Sequence, residues 1–165
     1  MNTKLAKITG IVTLIFGVLF IGTGATAWFL VADQLKAENI TVSEDADLAA
    51  GNQVAGPISA YAQAQVIQKH ALAITDGETY ATLGDLARAA EEAGDEDLAT
   101  EYSEKRTTMM NASFLRSSLF TSVLSFGVAL FAIGVGVWML LAGATFLSTS
   151  RTNEEIAAGR RTDTY

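Results

Sequence analysis

Two long uncharged runs dominate the pattern of apolar and polar positions. Ile8–Ala32 holds no charged residue in 25 positions, and Ser117–Ser150 holds none in 34. About 20 apolar residues suffice to cross the hydrocarbon core of a bilayer, so each run reads as a transmembrane helix. The pattern predicts an all-α membrane protein: a first span at about 8–32, a second at about 117–147, and a small helical cap between them. Leu119–Leu147 alone is 29 residues, roughly 44 Å of helix against about 30 Å of hydrocarbon. Tilt cannot absorb all of that. The turn with Ser117, Ser118, Thr121 and Ser122 is therefore expected in the interface or against protein.

Between the spans the pattern shortens. Asp33–Glu38 continues the first helix, and Ile40-Thr41-Val42-Ser43 reads as one extended strand with no partner in this chain. Glu44–Gly56 reads as an acidic loop. Pro57, the only proline, suits a first helical turn and opens a helix to about Thr75, which Asp76-Gly77 stops. Thr82 and Asp85 resemble a capping pair for an Ala-rich helix to Ala93, ended by Gly94. Asp95-Glu96-Asp97 then places acids where the helix dipole favours them. Neither glycine nor proline interrupts Glu96–Phe126. One helix from about Asp97 to about Leu147 follows, on the order of 75 Å long, making the second span continuous with a long protruding helix. The tail from Ser148 is expected to be partly disordered.

Charge sharpens the topology. The formal net charge is −7, unevenly spread: residues 33–116 carry fifteen acids against six bases, and the termini are net positive. Lys4 and Lys7 before the first run, with Ala25-Thr26-Ala27 near its end, raise the possibility of a cleaved signal peptide. The run is too long for one and continues through Trp28-Phe29-Leu30-Val31, which favours an uncleaved anchor. Lys4, Lys7, Arg151, Arg160 and Arg161 on the termini favour the cytoplasm, a vote narrowed by Lys105, Arg106 and Arg116, which flank the second span on the loop side. The expected arrangement is residues 1–7 and 148–165 inside and the acidic domain 33–116 outside a plasma membrane.

Composition removes most chemistry. There is no cysteine and a single histidine, His70, which excludes thiolate nucleophiles, iron–sulfur clusters, bis-histidine haem and most catalytic zinc sites. The low pI, about 4.6, argues against nucleic acid as a partner. His70 reads as a packed or hydrogen-bonded structural residue rather than a metal ligand. Glu44, Asp45 and Asp47 lack the EF-hand spacing and read as a solvated loop, as do Glu91, Glu92, Asp95, Glu96 and Asp97. Met109-Met110 reads as core, and Tyr61, Tyr80 and Tyr102 as cap-ordering aromatics with hydroxyl contacts. Neither span holds an ionisable residue of the kind that marks an ion pathway. No catalytic, cofactor or metal residue is expected.

The candidate site is instead a packing surface. Small residues recur at Gly10, Gly17 and Gly24 in the first span. In the second they recur at Ser122, Ser125, Ala129, Ala132, Gly136 and Gly143. Without a hydrophobic drive between helices in lipid, small residues permit the close backbone approach that holds them together. These faces pack on each other within the chain, or one docks on a partner's transmembrane helices.

Ile40–Ala46, Gly56-Pro57, Ala60–Ala64, Ile67-x-Lys69-His70-Ala71-Leu72, Thr79-Tyr80-Ala81 and Met110–Ser122 together resemble a family of actinobacterial two-span membrane proteins. Its members often carry the label aromatic-ring-opening dioxygenase. Such a dioxygenase holds iron with two histidines and a carboxylate, and one histidine cannot supply that. The resemblance implies an actinobacterial plasma-membrane protein. In that phylum the respiratory cytochrome bcc–aa3 supercomplex recruits small accessory membrane subunits, and by that analogy alone the expected role is a non-catalytic accessory subunit of a larger membrane assembly. Its partners would be integral membrane subunits, lipid, and a basic extracytoplasmic protein drawn to the acidic cap. A stand-alone binding or sensing module and a transient assembly factor are the alternatives.

Overall fold

The computed structural model describes residues 3–162, with side chains described through residue 152. Four helices follow in order: α1 (Thr3–Ala37), α2 (Pro57–Ile74), α3 (Tyr80–Ala93) and α4 (Glu96–Thr162). Among the described residues no regular strand forms. α1 and α4 are each long and apolar enough to cross a membrane, with mean hydropathies of 2.2 and 2.3 over their most apolar stretches. The chain divides into two compact units, one of Met1–Leu30 with Gly127–Tyr165, the other of Val31–Phe126.

In the first unit, parts of α1 and α4 pack antiparallel. Their polar side chains turn inward on their own helices: Thr13, Thr23, Thr26 and Thr145 each donate to the carbonyl four residues earlier. That satisfies each hydroxyl within its own helix. α4 runs on to Thr162 instead of ending near Leu147. No proline follows Leu147, and Glu154, Glu155, Ala157 and Ala158 are good helix formers. The last part of the expected disordered tail, residues 163–165, lies outside the described residues.

The second unit is built from short elements with explicit stops. Pro57 stands at the start of α2 with Gly56 as cap, and Ser59 Oγ accepts from the Gly56 and Ala55 amides. Thr75 ends it, followed by Asp76 and Gly77 in the left-handed region (φ 57° and 86°). The Gly77 amide reaches back to Leu72 O at 2.7 Å, closing the turn as a Schellman bond does. The cap of α3 is Thr79, not Thr82. The two threonines exchange bonds, with the Thr79 amide donating to Thr82 Oγ1 at 2.8 Å. Thr82 thus fills the third helical position that the expected pairing had given to Asp85. Gly94 (φ 77°) closes α3, and Asp95 Oδ1 accepts the Leu98 amide to open α4.

The core of this unit gathers Ala71, Leu83, Met109 and Ala112, with Ile67, Leu72 and Tyr102 packed against it. The loop before α2 differs from expectation. Ile40–Val42 does find a partner in this chain: Val54 N donates to Ile40 O at 2.8 Å and Val42 N to Asn52 O at 2.9 Å, around a Thr41–Gln53 bridge. Val42 and Val54 are fully buried by this pairing. Two valines removed from water pull together a segment that its acids alone would leave solvated.

Candidate functional site

Gly10, Gly17 and Gly24 on α1 face Gly143, Gly136 and Ala129 on α4. Each step of seven along one helix is answered by a step of seven backwards along the other. A Cβ built on Gly17 would lie 2.9 Å from Gly136 O, and one on Gly136 would lie 2.7 Å from Gly17 O. The same reciprocity holds at Gly10 and Gly143, at 3.0 and 2.9 Å. Gly24 would meet Ala129 O at 2.7 Å. The partner's carbonyl occupies the space where a side chain would begin, so only glycine fits. A strict seven-residue repeat suits a left-handed crossing, and Leu14, Ile21, Ile133, Leu140 and Leu147 fill the flanks of the seam.

The other small residues stand elsewhere. Ala132 is half-buried beside the seam. Ser122 and Ser125 belong to the 31–126 unit, and their hydroxyls donate to Ser118 O and Thr121 O of their own helix. The face of α4 turned away from the seam carries Gly127 and Gly134, with nothing within 4 Å of a built Cβ. Between and beyond them stand Phe131 at 71% and Trp138 at 68% exposure.

In the 31–126 unit, Asp45 ties the loop to α2. Its carboxylate accepts from Ser43 Oγ at 2.7 Å and Lys69 Nζ at 2.9 Å, and it lies 3.0 Å from His70 Nε2. The Ser43 hydrogen bond, then those of Lys69 and His70, hold its carboxyl well below the usual carboxylate range. Lys69 is correspondingly raised, first by its hydrogen bond to Asp45. His70 is thus hydrogen-bonded as expected of a structural histidine, yet half-exposed rather than packed. Asp45, Leu48, Tyr61, Val66 and Lys69 line a shallow depression of about 470 Å³. Among the described residues no group of three or more His, Asp or Glu side chains is placed to hold a metal ion.

Lys105 closes the other end of the unit. It bridges Asp76 at 2.8 Å and Glu101 at 2.7 Å, and these hydrogen bonds, Asp76 first, raise it further above the ordinary lysine range. No family model, curated protein or solved structure matches the chain. Its function is therefore argued from these contacts.

Sequence reasoning missed the joining of Asp45 to Lys69 and His70, and the seat of Arg106 against Tyr80 and Gly84. Arg116 was visible only as a flanking charge. It donates from Nε to Ala64 O at 3.2 Å and lies 5.7 Å over the Phe120 ring, which meets Tyr61 edge-on. A glycine inside the Ala-rich helix, Gly84, was the one available signal that something large lies against α3.

Proposed function

We propose that the chain is a two-span integral protein of the plasma membrane, with both termini cytoplasmic and residues 33–116 outside. It serves as a non-catalytic accessory subunit of a larger membrane assembly. The observation that carries this reading is the division of surfaces in the Met1–Leu30 and Gly127–Tyr165 unit. Gly10, Gly17, Gly24, Gly136 and Gly143 face inward across the seam, while only 17% of the most apolar stretch of either helix is buried. A core helix of a water-soluble protein is mostly covered. Here Phe16, Phe29, Phe131 and Trp138 stand exposed, a surface whose natural solvent is lipid or another protein's helices.

The glycine faces are used within the chain, so partner helices meet the opposite faces, where Phe131 and Trp138 stand. A fifteen-acid outer segment with six bases adds an electrostatic preference for a basic partner domain, expressed mainly in encounter rate and selectivity. On the family resemblance, the assembly we assign is the cytochrome bcc–aa3 respiratory supercomplex.

Purification of a tagged chain in mild detergent tests this directly. Haem-bearing oxidase subunits recovered in stoichiometric amount are the expected outcome. A lone monomer or homodimer with an intact outer unit overturns it.

A further inference from the structure

With fifteen acids to six bases in residues 33–116, every cation there has carboxylates to spare. Lys36, Lys69 and Arg88 each hold one and Lys105 holds two, and Arg116 holds a backbone carbonyl. Arg106 holds neither. Its Nε is buried with no hydrogen-bond partner, and among the described residues its one contact of charge is the Tyr80 ring, 4.3 Å from Cζ. Stacking uses the face of a guanidinium and leaves the Nη donors in its plane open to an acceptor. The buried Nε–H without an acceptor is itself costly, so the side chain is held in this seat by its surroundings and not by an ion pair.

The seat is built at some expense. Gly84 sits inside α3, where glycine is less favourable than alanine. A Cβ there would lie 3.1 Å from Arg106 Nε and 3.2 Å from Cζ. Glycine lets the guanidinium lie flat on the α3 backbone with Tyr80 over it. The guanidinium lines a cleft of about 380 Å³ between α3 and α4, together with Ser103, Arg88, Asp85 and Glu91. Arg88 is already committed to Asp85 at 2.7 Å. The four charged side chains cancel in sum, and with Asp85 paired to Arg88 the charges left are one guanidinium and the Glu91 carboxylate. A second negative charge on a ligand would find only Glu91 left to face, whereas one carboxylate is matched by Arg106.

We propose that this cleft binds a small monocarboxylate. The ligand's carboxylate pairs with the Nη edge of Arg106, the edge left when Nε is sealed off. The Ser103 hydroxyl is a second donor, and Glu91 accepts an ammonium where the ligand carries one. Small amino-carboxylates, free or as the C-terminal end of a short peptide, combine both features. The site is independent of the membrane assembly proposed above.

The test is amide NMR of the full chain in detergent micelles, titrated at constant ionic strength with acetate, glycine, diglycine and inorganic phosphate. Glycine and acetate are expected to shift amides of residues 81–88 and 103–106 saturably, with glycine tighter and phosphate inert. Tighter binding by diglycine than by glycine identifies a peptide end as the ligand source, and the reverse identifies the free amino acid. Arg106→Gln should weaken binding roughly tenfold or more, as loss of a charge-assisted pair does. Ser103→Ala, at an exposed position, should weaken it about threefold with thermal unfolding unchanged, a readout that survives if the Arg106 variant fails to fold. Absence of saturable shifts with any carboxylate overturns the proposal. So does phosphate binding as tight as glycine, or binding indifferent to Ser103→Ala and Arg106→Gln together.

Discussion

The two compact units solve the same problem by opposite means. In the Met1–Leu30 and Gly127–Tyr165 unit, two helices meet where side chains are missing, and backbone lies against backbone at Gly10, Gly17, Gly136 and Gly143. Its threonines bond their own helices. In the Val31–Phe126 unit, elements distant in sequence are joined by charged and polar side chains: Lys69 to Asp45, Lys105 to Asp76, Arg116 to Ala64 O. Shape alone organises the first, and shape with polarity organises the second. On the proposed two-span reading, the contrast is what a change of solvent demands. In lipid, burying apolar surface gains nothing and close packing must serve. In water, a small core gains from burial and its loops need pinning.

The comparison breaks most severely at Gly136. A leucine there would drive its Cβ to 2.7 Å from Gly17 O and Ile21 Cγ1 and to 2.9 Å from Ile21 N. Two of those three atoms are backbone, so rotamer change gives no relief. The cost is expected near or above the top of the overpacking range, about 3 kcal/mol. Gly134, two residues along the same helix, meets nothing within 4 Å, and Gly134→Leu should leave the pairing intact. The distance between spin labels attached at the exposed positions Ile15 of α1 and Leu141 of α4 reads the difference, changing only in Gly136→Leu. Equal distances in both variants remove the seam as the organising contact.

Next in size is a cavity in the other unit. Leu83 is 1% exposed within the cluster of Ala71, Met109 and Ala112. Leu83→Ala should cost about 2–3 kcal/mol, toward the low end for such truncations because small neighbours and a flexible methionine partly close the gap. Hydrogen exchange in α2 and α3 should accelerate, while the distance between labels at Ile15 and Leu141 stays unchanged. A change in both would show that the two units do not keep separate accounts of stability.

How far the chain could be read in advance follows the same division. Local signals were legible. Pro57 opens α2, Gly94 closes α3, and the seven-residue glycine repeat stands on each helix separately. The register that sets Gly10 against Gly143 was not, since it is a property of two helices and neither carries it alone. Thr79 and Thr82 both have capping side chains, and only the backbone decides which stands outside the helix. The Thr41–Gln53 pairing was hidden by Ala49 at φ 55°, a left-handed turn at a residue that does not advertise one. Arg106, next to Lys105, looked like half of a basic flank. Its isolation depends on where Tyr80 and Gly84 come to lie, and no spacing along the chain states that.

The smallest expected effect concerns the Asp45 tie, and its sign distinguishes the polar unit from the glycine seam. Asp45 is lowered by its bonds from Ser43, Lys69 and His70. A carboxyl lowered on folding contributes stability that is present above the unfolded value, near 4, and is lost as pH falls through and below it. Lys69 is raised, so the contribution assigned to it is present below the unfolded lysine value, near 10.4, and lost only as pH rises beyond that. Between about pH 5 and pH 9 the tie should therefore be constant. The groups are exposed, Asp45 by 44% and Lys69 by 62%, so screening keeps the effect local and salt-sensitive. Hydrogen exchange at residues 43–47 should be slower in the native chain than in Asp45→Asn at pH 7, and the gap should narrow below pH 4 and close only well below the usual carboxylate range. No matching change is expected at residues 10–24, whose seam contacts are glycine, alanine, leucine and isoleucine. No gap at pH 7 would mean the loop is held by its buried valines alone, and a gap that opens equally in residues 10–24 would mean the effect is not local to the tie.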